Sequence, residues 1–120
     1  MELDTILSEV KADLPDFVAG AITGVDGLTI SSLSMDENIN MEAIGAEFAS
    51  IVSTISRIGS DLGAGKIKSS IYTMDKYQIL TSQIGSTGFF QLLCLKAEGN
   101  IGRARYIMSK MEGKIKEALV

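Results

Sequence analysis

Leu62-Gly63-Ala64-Gly65-Lys66 resembles the tail of a phosphate-binding loop. Such a loop aims backbone N–H groups and a lysine at a phosphate from the turn between a strand and the helix that follows it. Here Ser60 stands where the first glycine belongs, and Ile67 where a magnesium-binding serine or threonine belongs. The hydrophobic pattern around it runs helix then strand, the wrong order for the helix dipole to face an anion. The stretch therefore reads as a helix stop. Gly85-Ser86-Thr87-Gly88 reads as a hairpin turn. Gly99-Asn100-Ile101-Gly102 does lie between a strand and a helix, but it is too short to cradle a phosphate and lacks a lysine, so it reads as a cap.

The remaining residues with chemical potential read as structural. The chain has no histidine, which removes Ser-His and Cys-His catalysis, His-containing zinc sites and the usual pH switch. Asp36-Glu37 is a loop pair with no third ligand at calcium-loop spacing, and Asp26 belongs to a turn. Hydroxyls are plentiful, but no base is placed to activate one. Cys94 is the single cysteine and lies in the apolar run Phe89–Leu95, so it reads as a buried, inert thiol. Met41, Met108 and Met111 fall on helix stripes, where core packing explains them. No catalytic, cofactor-binding or metal-ligating residue follows from the sequence.

Composition narrows the class further. With 46% hydrophobic and 22% charged residues, the chain reads as one soluble globular domain spanning residues 1–120. The apolar runs Phe17–Ile22 and Phe89–Leu95 are too short to span a bilayer. The acidic start is no signal peptide and Glu2 excludes myristoylation, so a cytoplasmic location with no direct membrane insertion is expected. A net charge of −4 argues against nucleic acid as a partner. The charge is unevenly placed: residues 1–62 hold 11 acids and 2 bases, residues 63–120 hold 4 acids and 9 bases. Either the two halves attract within one fold, or the bases Arg103, Arg105, Lys110, Lys114 and Lys116 of the last helix meet an acidic partner.

The elements that must position these residues follow from periodicity and turn chemistry. Leu3, Ile6, Leu7, Val10 and Leu14 make a helix over Leu3–Leu14, ended by Pro15, the only proline. Phe17–Thr23 reads as an inner strand, and Asp26-Gly27 turns it into Leu28–Ser32. Leu33–Ile39 is a loop, and Asn40 caps a long helix that Gly63 and Gly65 stop. Lys66–Thr73 reads as an edge strand guarded by Lys66 and Lys68. Tyr77–Ile84 and Phe89–Leu95 complete the strands, and Ile101–Leu119 is the last helix. The order is helix, two strands, helix, three strands, helix. This is an α+β fold: a five-stranded, mainly antiparallel sheet with helices packed on it.

The long helix, Asn40–Leu62, carries two adjacent seams. Met41, Ile44, Phe48, Ile51, Ile55, Ile58 and Leu62 form a bulky stripe, read as the helix's contribution to its own core. Gly45, Ala49, Val52, Ser56 and Gly59 form a stripe of small residues beside it. An interior glycine costs a helix about 1 kcal/mol relative to alanine, so close approach of another helix is expected to offset two of them. That second helix could lie in the same chain or in a second copy.

Taken together, the chain resembles the roadblock family, the dynein light-chain and GTPase-regulator domain, over residues 3–119. Three stretches carry the resemblance: Gly20–Ser32 with its Asp-Gly turn, the long helix ending at Leu62-Gly63 before an edge strand, and Asn100-Ile101-Gly102 opening the last helix. The resemblance implies the roadblock, profilin-like fold. It also implies a homodimer in which the central helices pack together and the third strands pair into one continuous sheet. Carried over by position, the helix contact would be Gly45, Ala49, Val52, Ser56 and Gly59, and the strand contact Lys66–Thr73, with Lys66, Lys68, Ser70 and Tyr72 at the interface. On that assignment, leucine at Gly45 or arginine at Ser56 would yield a monomer or an insoluble chain.

The functional implication is a non-catalytic homodimeric regulator that binds a small Ras-like GTPase, as a GTPase-activating or scaffolding partner. Some relatives of this kind reposition the GTPase's own groups without inserting an arginine finger. The alternative is a dynein-light-chain-like adaptor that pairs with another roadblock chain. The resemblance implies no cofactor, and it does not single out GTPase-binding residues.

Overall fold

In the computed structural model, which describes residues 2–119, Asn40 sets the start of the central helix. Its side-chain oxygen accepts the backbone N–H groups of Glu42 and Ala43, both at 3.1 Å, satisfying two donors that the first turn leaves free. The helix, α2, runs Met41–Asp61. It ends as the glycines predict. Gly63 takes φ +68°, its N–H donates to the Ser60 carbonyl at 3.0 Å, and the Ala64 N–H donates to the Gly59 carbonyl at 2.8 Å. That paired closure is a Schellman stop, and the left-handed residue at its centre is why glycine stands there.

The first and last helices are α1, Glu2–Asp13, and α3, Ile101–Ala118. Asn100 caps α3 by accepting the Arg103 N–H at 3.0 Å. The strands are β1 Phe17–Gly24, β2 Thr29–Ser34, β3 Ser69–Thr73, β4 Tyr77–Gln83 and β5 Phe89–Lys96. They form one five-stranded sheet in the order β2-β1-β5-β4-β3, with every neighbouring pair antiparallel. β1 is buried along its whole length, as an inner strand with apolar and small residues on both faces must be.

Two layers of helix cover the sheet, one on each face. α1 and α3 bury Ile6, Val10, Ile107 and Met111 with Ile22, Leu93 and Leu95 of the sheet. α2 buries Met41, Phe48, Ala49 and Val52 with Ala19, Ala21, Leu92 and Cys94 on the other face. The Lys114 ammonium pairs with the Glu9 carboxylate at 3.1 Å, and Arg103 Nε donates to the Asp13 carbonyl at 2.9 Å. Both partners belong to α1, and for Lys114 the halves of opposite charge attract within one fold.

Two strands differ from expectation by more than one residue. β2 begins at Thr29 rather than Leu28 and continues to Ser34. The Asp26 carboxylate accepts the Leu28 N–H at 3.1 Å, which holds Leu28 in the turn, 64% exposed. At the far end Ser34 stays in the ladder opposite Ala19, and the Met35 N–H still reaches the Val18 carbonyl. β3 begins at Ser69, not Lys66. Gly65, at φ +90°, turns the chain after the helix stop, and the exposed Lys66 and Lys68 lie on the approach to the strand instead of within it.

Candidate functional site

The two seams of α2 exchange the roles the sequence assigned them. The small residues face inward: Gly45, Ala49 and Val52 are buried in the protomer's own core. A Cβ at Gly45 would sit 2.5 Å from Thr29 Oγ1 and 2.8 Å from Thr23 Oγ1, so the helix backbone rests on two hydroxyls of the β1–β2 hairpin. Those hydroxyls bond each other at 2.9 Å, and Thr23 is fully buried. At Gly59 the close neighbour is the Gly65 carbonyl, 2.8 Å from where a Cβ would be. Thus both glycines are explained by backbone and hydroxyls of the same chain. Gly45, Ala49 and Val52 are thus buried within the protomer, while Ser56 and Gly59 are half-buried.

The bulky stripe divides. Met41 and Phe48 are buried and Ile44 is half-buried, but Ile51 and Ile55 are each 38% exposed, Ile58 46% and Leu62 75%. Spacing of three and four places these last four on one flank of the helix. The isoleucine flank was missed because its spacing is also that of a core stripe. The signal that would have found it is width: the two seams together cover roughly half the helix circumference at 3.6 residues per turn, more than one sheet contact buries.

Beside this flank lies the free edge of the sheet. β3 pairs with β4 on one side and with no strand among the described residues on the other. The strand is short, and its exposure alternates between exposed and half-buried. Tyr72 packs toward α2, its ring 5.5 Å from that of Phe48 at 58°. Ser70 bonds the Thr81 hydroxyl across the β3–β4 pair. Of the strand residues assigned to an interface, Ser70 and Tyr72 are therefore engaged inside the protomer, and Lys66 and Lys68 precede the strand.

The motifs with a chemical look resolve into turns and caps. Gly63 and Gly65 belong to the helix stop, and Asn100 to the α3 cap. Gly85 and Gly88 hold positive φ in the β4–β5 turn. Asp26 and Asp36 accept backbone N–H groups within their own loops. Among the described residues no group of three or more His, Cys, Asp and Glu side chains could hold a metal ion, and no helix is long and apolar enough to cross a membrane.

Cys94 is buried under α2, and burial pushes its thiol up to about 11 from 9.0. It therefore stays a neutral thiol at neutral pH. Iodoacetamide at pH 8 is expected to alkylate native Cys94 at least about a hundredfold more slowly than the unfolded chain, since two pKa units remove that much thiolate. Mass spectrometry with and without urea reads this directly. From pH 9 to 11 the unfolded thiol loses its proton while the folded one keeps it, so this group's contribution to stability falls as pH rises through that window.

The arrangement matches solved structures closely. The chain superposes on a roadblock/LC7 domain from Streptomyces avermitilis with a TM-score of 0.89, covering 99% of this chain and 98% of that one at 19% identity. The chain has the roadblock fold. A second roadblock-fold neighbour, Myxococcus xanthus MglB, gives a TM-score of 0.89 over 99% of this chain and 90% of that one at 17% identity. An MglB with a tetrameric arrangement gives 0.81 over 90% and 80% at 9% identity. No protein-family model matches the sequence, and no curated protein is significantly similar to it. The order of helices and strands in the roadblock fold is the one the sequence predicted, including the long central helix between β2 and β3.

Proposed function

We propose that this chain is a non-catalytic homodimeric regulator that binds a small Ras-like GTPase. The observation that carries the reading is the exposed flank Ile51, Ile55, Ile58 and Leu62 beside an unpaired β3 edge, on a roadblock fold. Four large aliphatic side chains aligned on one helix are a self-association surface more readily than a solvated one. Two α2 helices joined along this flank, with β3 edges brought together, would give a broad platform. The interface proposed is thus the isoleucine flank rather than Gly45, Ala49 and Val52.

A platform of this kind acts on a GTPase by holding its switch segments in one arrangement. The arginines fit that indirect mode. Arg57 lies near the C-terminal end of α2, and Arg103 is tied to α1 by its bond to the Asp13 carbonyl. The reading is tested by purifying the GTPases encoded beside this gene and measuring their binding in GDP and GTP states, with and without this protein during turnover. Binding that prefers one nucleotide state, with altered turnover, is expected. Absence of binding in both states would overturn it. Native mass spectrometry that instead finds a stable complex with a different roadblock chain, and no GTPase, would put an adaptor in its place.

A further inference from the structure

β2 is the other edge of the sheet, at the opposite end of the strand order from β3. The Met35 N–H donates to the Val18 carbonyl, and in an antiparallel ladder only alternate residues bond the neighbouring strand. Ser34 and Ser32, opposite Ala19 and Ala21, form the other set, so their N–H and C=O groups point away from β1. None of these groups bonds a turn or loop among the described residues. An unpaired edge normally carries a guard: a charge, a proline, a bulge or a covering segment. β2 is Thr-Ile-Ser-Ser-Leu-Ser, with neither charge nor proline. Its one irregularity lies at the hairpin end, where the register shifts between Ile22 and Thr23, so the edge is open from Ser31 to Ser34. Exposed apolar side chains stand beyond both ends of the strand, Leu28 at 64% and Met35 at 56%.

The surroundings of this edge are acidic. The Ser31 hydroxyl donates to the Asp4 carboxylate, which brings that acid beside the strand. Asp36 and Glu37 follow Met35 directly. From residue 12 to residue 56 the chain has seven acids and no base, and the only base before them is Lys11, two turns along α1 from Asp4. A second copy paired here across a two-fold axis would set these acids against their own duplicates, which repel. A basic strand meets no such penalty. We propose that the β2 edge accepts an extended, basic segment of a partner protein as an added strand. Its backbone bonds Ser32 and Ser34, its lysines or arginines meet Asp4, Asp36 and Glu37, and an apolar side chain lies on Met35. Because β2 is the edge away from β3, this inference does not rest on the GTPase reading or on the dimer, and it survives the failure of either.

The experiment is fluorescence anisotropy with a short fluorescein-labelled peptide alternating lysine and valine. One matched peptide carries glutamate for lysine, and another is N-methylated at every amide, which keeps the charge and removes the strand's donors. The first is expected to bind, and the other two to bind at least about tenfold more weakly. Amide exchange at Ser32 and Ser34 is expected to slow by about tenfold or more on peptide addition. Ser32→Pro removes an outward N–H without touching the β1 pairing and should weaken binding by about tenfold. Glu37→Lys, at an exposed loop position, reverses a charge without entering the strand and should weaken it by about threefold or more, whether or not the proline variant folds. Equal binding of the N-methylated peptide would leave plain charge attraction and overturn the proposal. So would equal binding of the glutamate peptide, unchanged affinity in Glu37→Lys, or slowed exchange at Ser69–Thr73 in place of Ser32 and Ser34. Protection of Ser32 and Ser34 that grows with protein concentration alone would put a second copy on this edge and overturn it too.

Discussion

Leucine at Gly45 will unfold the protomer rather than separate two folded ones. The position offers no room: a Cβ there falls 2.5 Å from Thr29 Oγ1 and 2.8 Å from Thr23 Oγ1. These oxygens sit on short, branched side chains whose rotation is limited, and Thr23 has no exposed surface into which to turn. Moving either oxygen breaks the 2.9 Å bond between them and strands a buried hydroxyl. Even alanine should cost about 1–3 kcal/mol from overpacking, partly offset by about 1 kcal/mol of helix propensity. Leucine adds a branched side chain with nowhere to go, and a loss above about 4 kcal/mol would remove a large part of the stability of a domain this size. Urea unfolding followed by circular dichroism measures both variants. Gly45→Ala combined with Thr29→Ala should recover part of the loss, because it removes the nearer oxygen, and the double-mutant cycle should show coupling of about 1 kcal/mol. A well-folded, monomeric Gly45→Leu protein would sink this account.

Gly45 also shows where the sequence was legible and where it was not. That a glycine inside a helix marks a close approach is a local inference, and it held at both Gly45 and Gly59. What approaches is a tertiary fact. A threonine pair on a hairpin and a carbonyl of the returning chain leave no periodic trace, whereas a facing helix is the usual expectation for a small-residue seam. The same limit explains the exchange of stripes on α2. Periodicity reports that residues share a face, not which of two neighbouring faces the sheet takes. Small residues win that contact here because the helix lies close over β1 and β2, and the bulk of Ile51, Ile55 and Ile58 is thereby turned to the side.

Elements with chemical punctuation were read well. Asn40, Asn100, Pro15, Asp26-Gly27 and Gly63 each act through a local hydrogen bond or a dihedral restriction, so the residues on either side settle the outcome. The boundaries that moved, at Leu28 and at Lys66–Lys68, lie where a turn competes with a ladder for the same backbone group. The Asp26 carboxylate takes the N–H that would have extended β2, and Gly65 turns the chain where β3 was expected to begin.

Glutamate at both Ile55 and Ile58 should convert a dimer into a folded monomer. The two residues are 38% and 46% exposed in the protomer, so the charges stay hydrated when the chain is alone and its core is undisturbed. In a dimer joined along the flank they would be driven into an apolar contact with no cation opposite them on α2, where the basic residue Arg57 points from a different side of the helix. Burying each carboxylate, or protonating it to avoid that, costs about 2–4 kcal/mol, so the pair should weaken association by well over a hundredfold. Sedimentation at micromolar concentration should then show the wild-type chain as a dimer and Ile55→Glu/Ile58→Glu as a monomer with the same circular dichroism. Ser50→Glu, exposed on α2 but off the isoleucine flank, should leave the dimer intact. This pairing of variants separates the flank from helix α2 as a whole. It also separates association from folding, which no substitution on the buried seam of Gly45, Ala49 and Val52 can do, because there the two losses coincide. If the double variant remains dimeric, the isoleucine flank is not where the copies meet, and the unpaired edge of β3 becomes the contact to test.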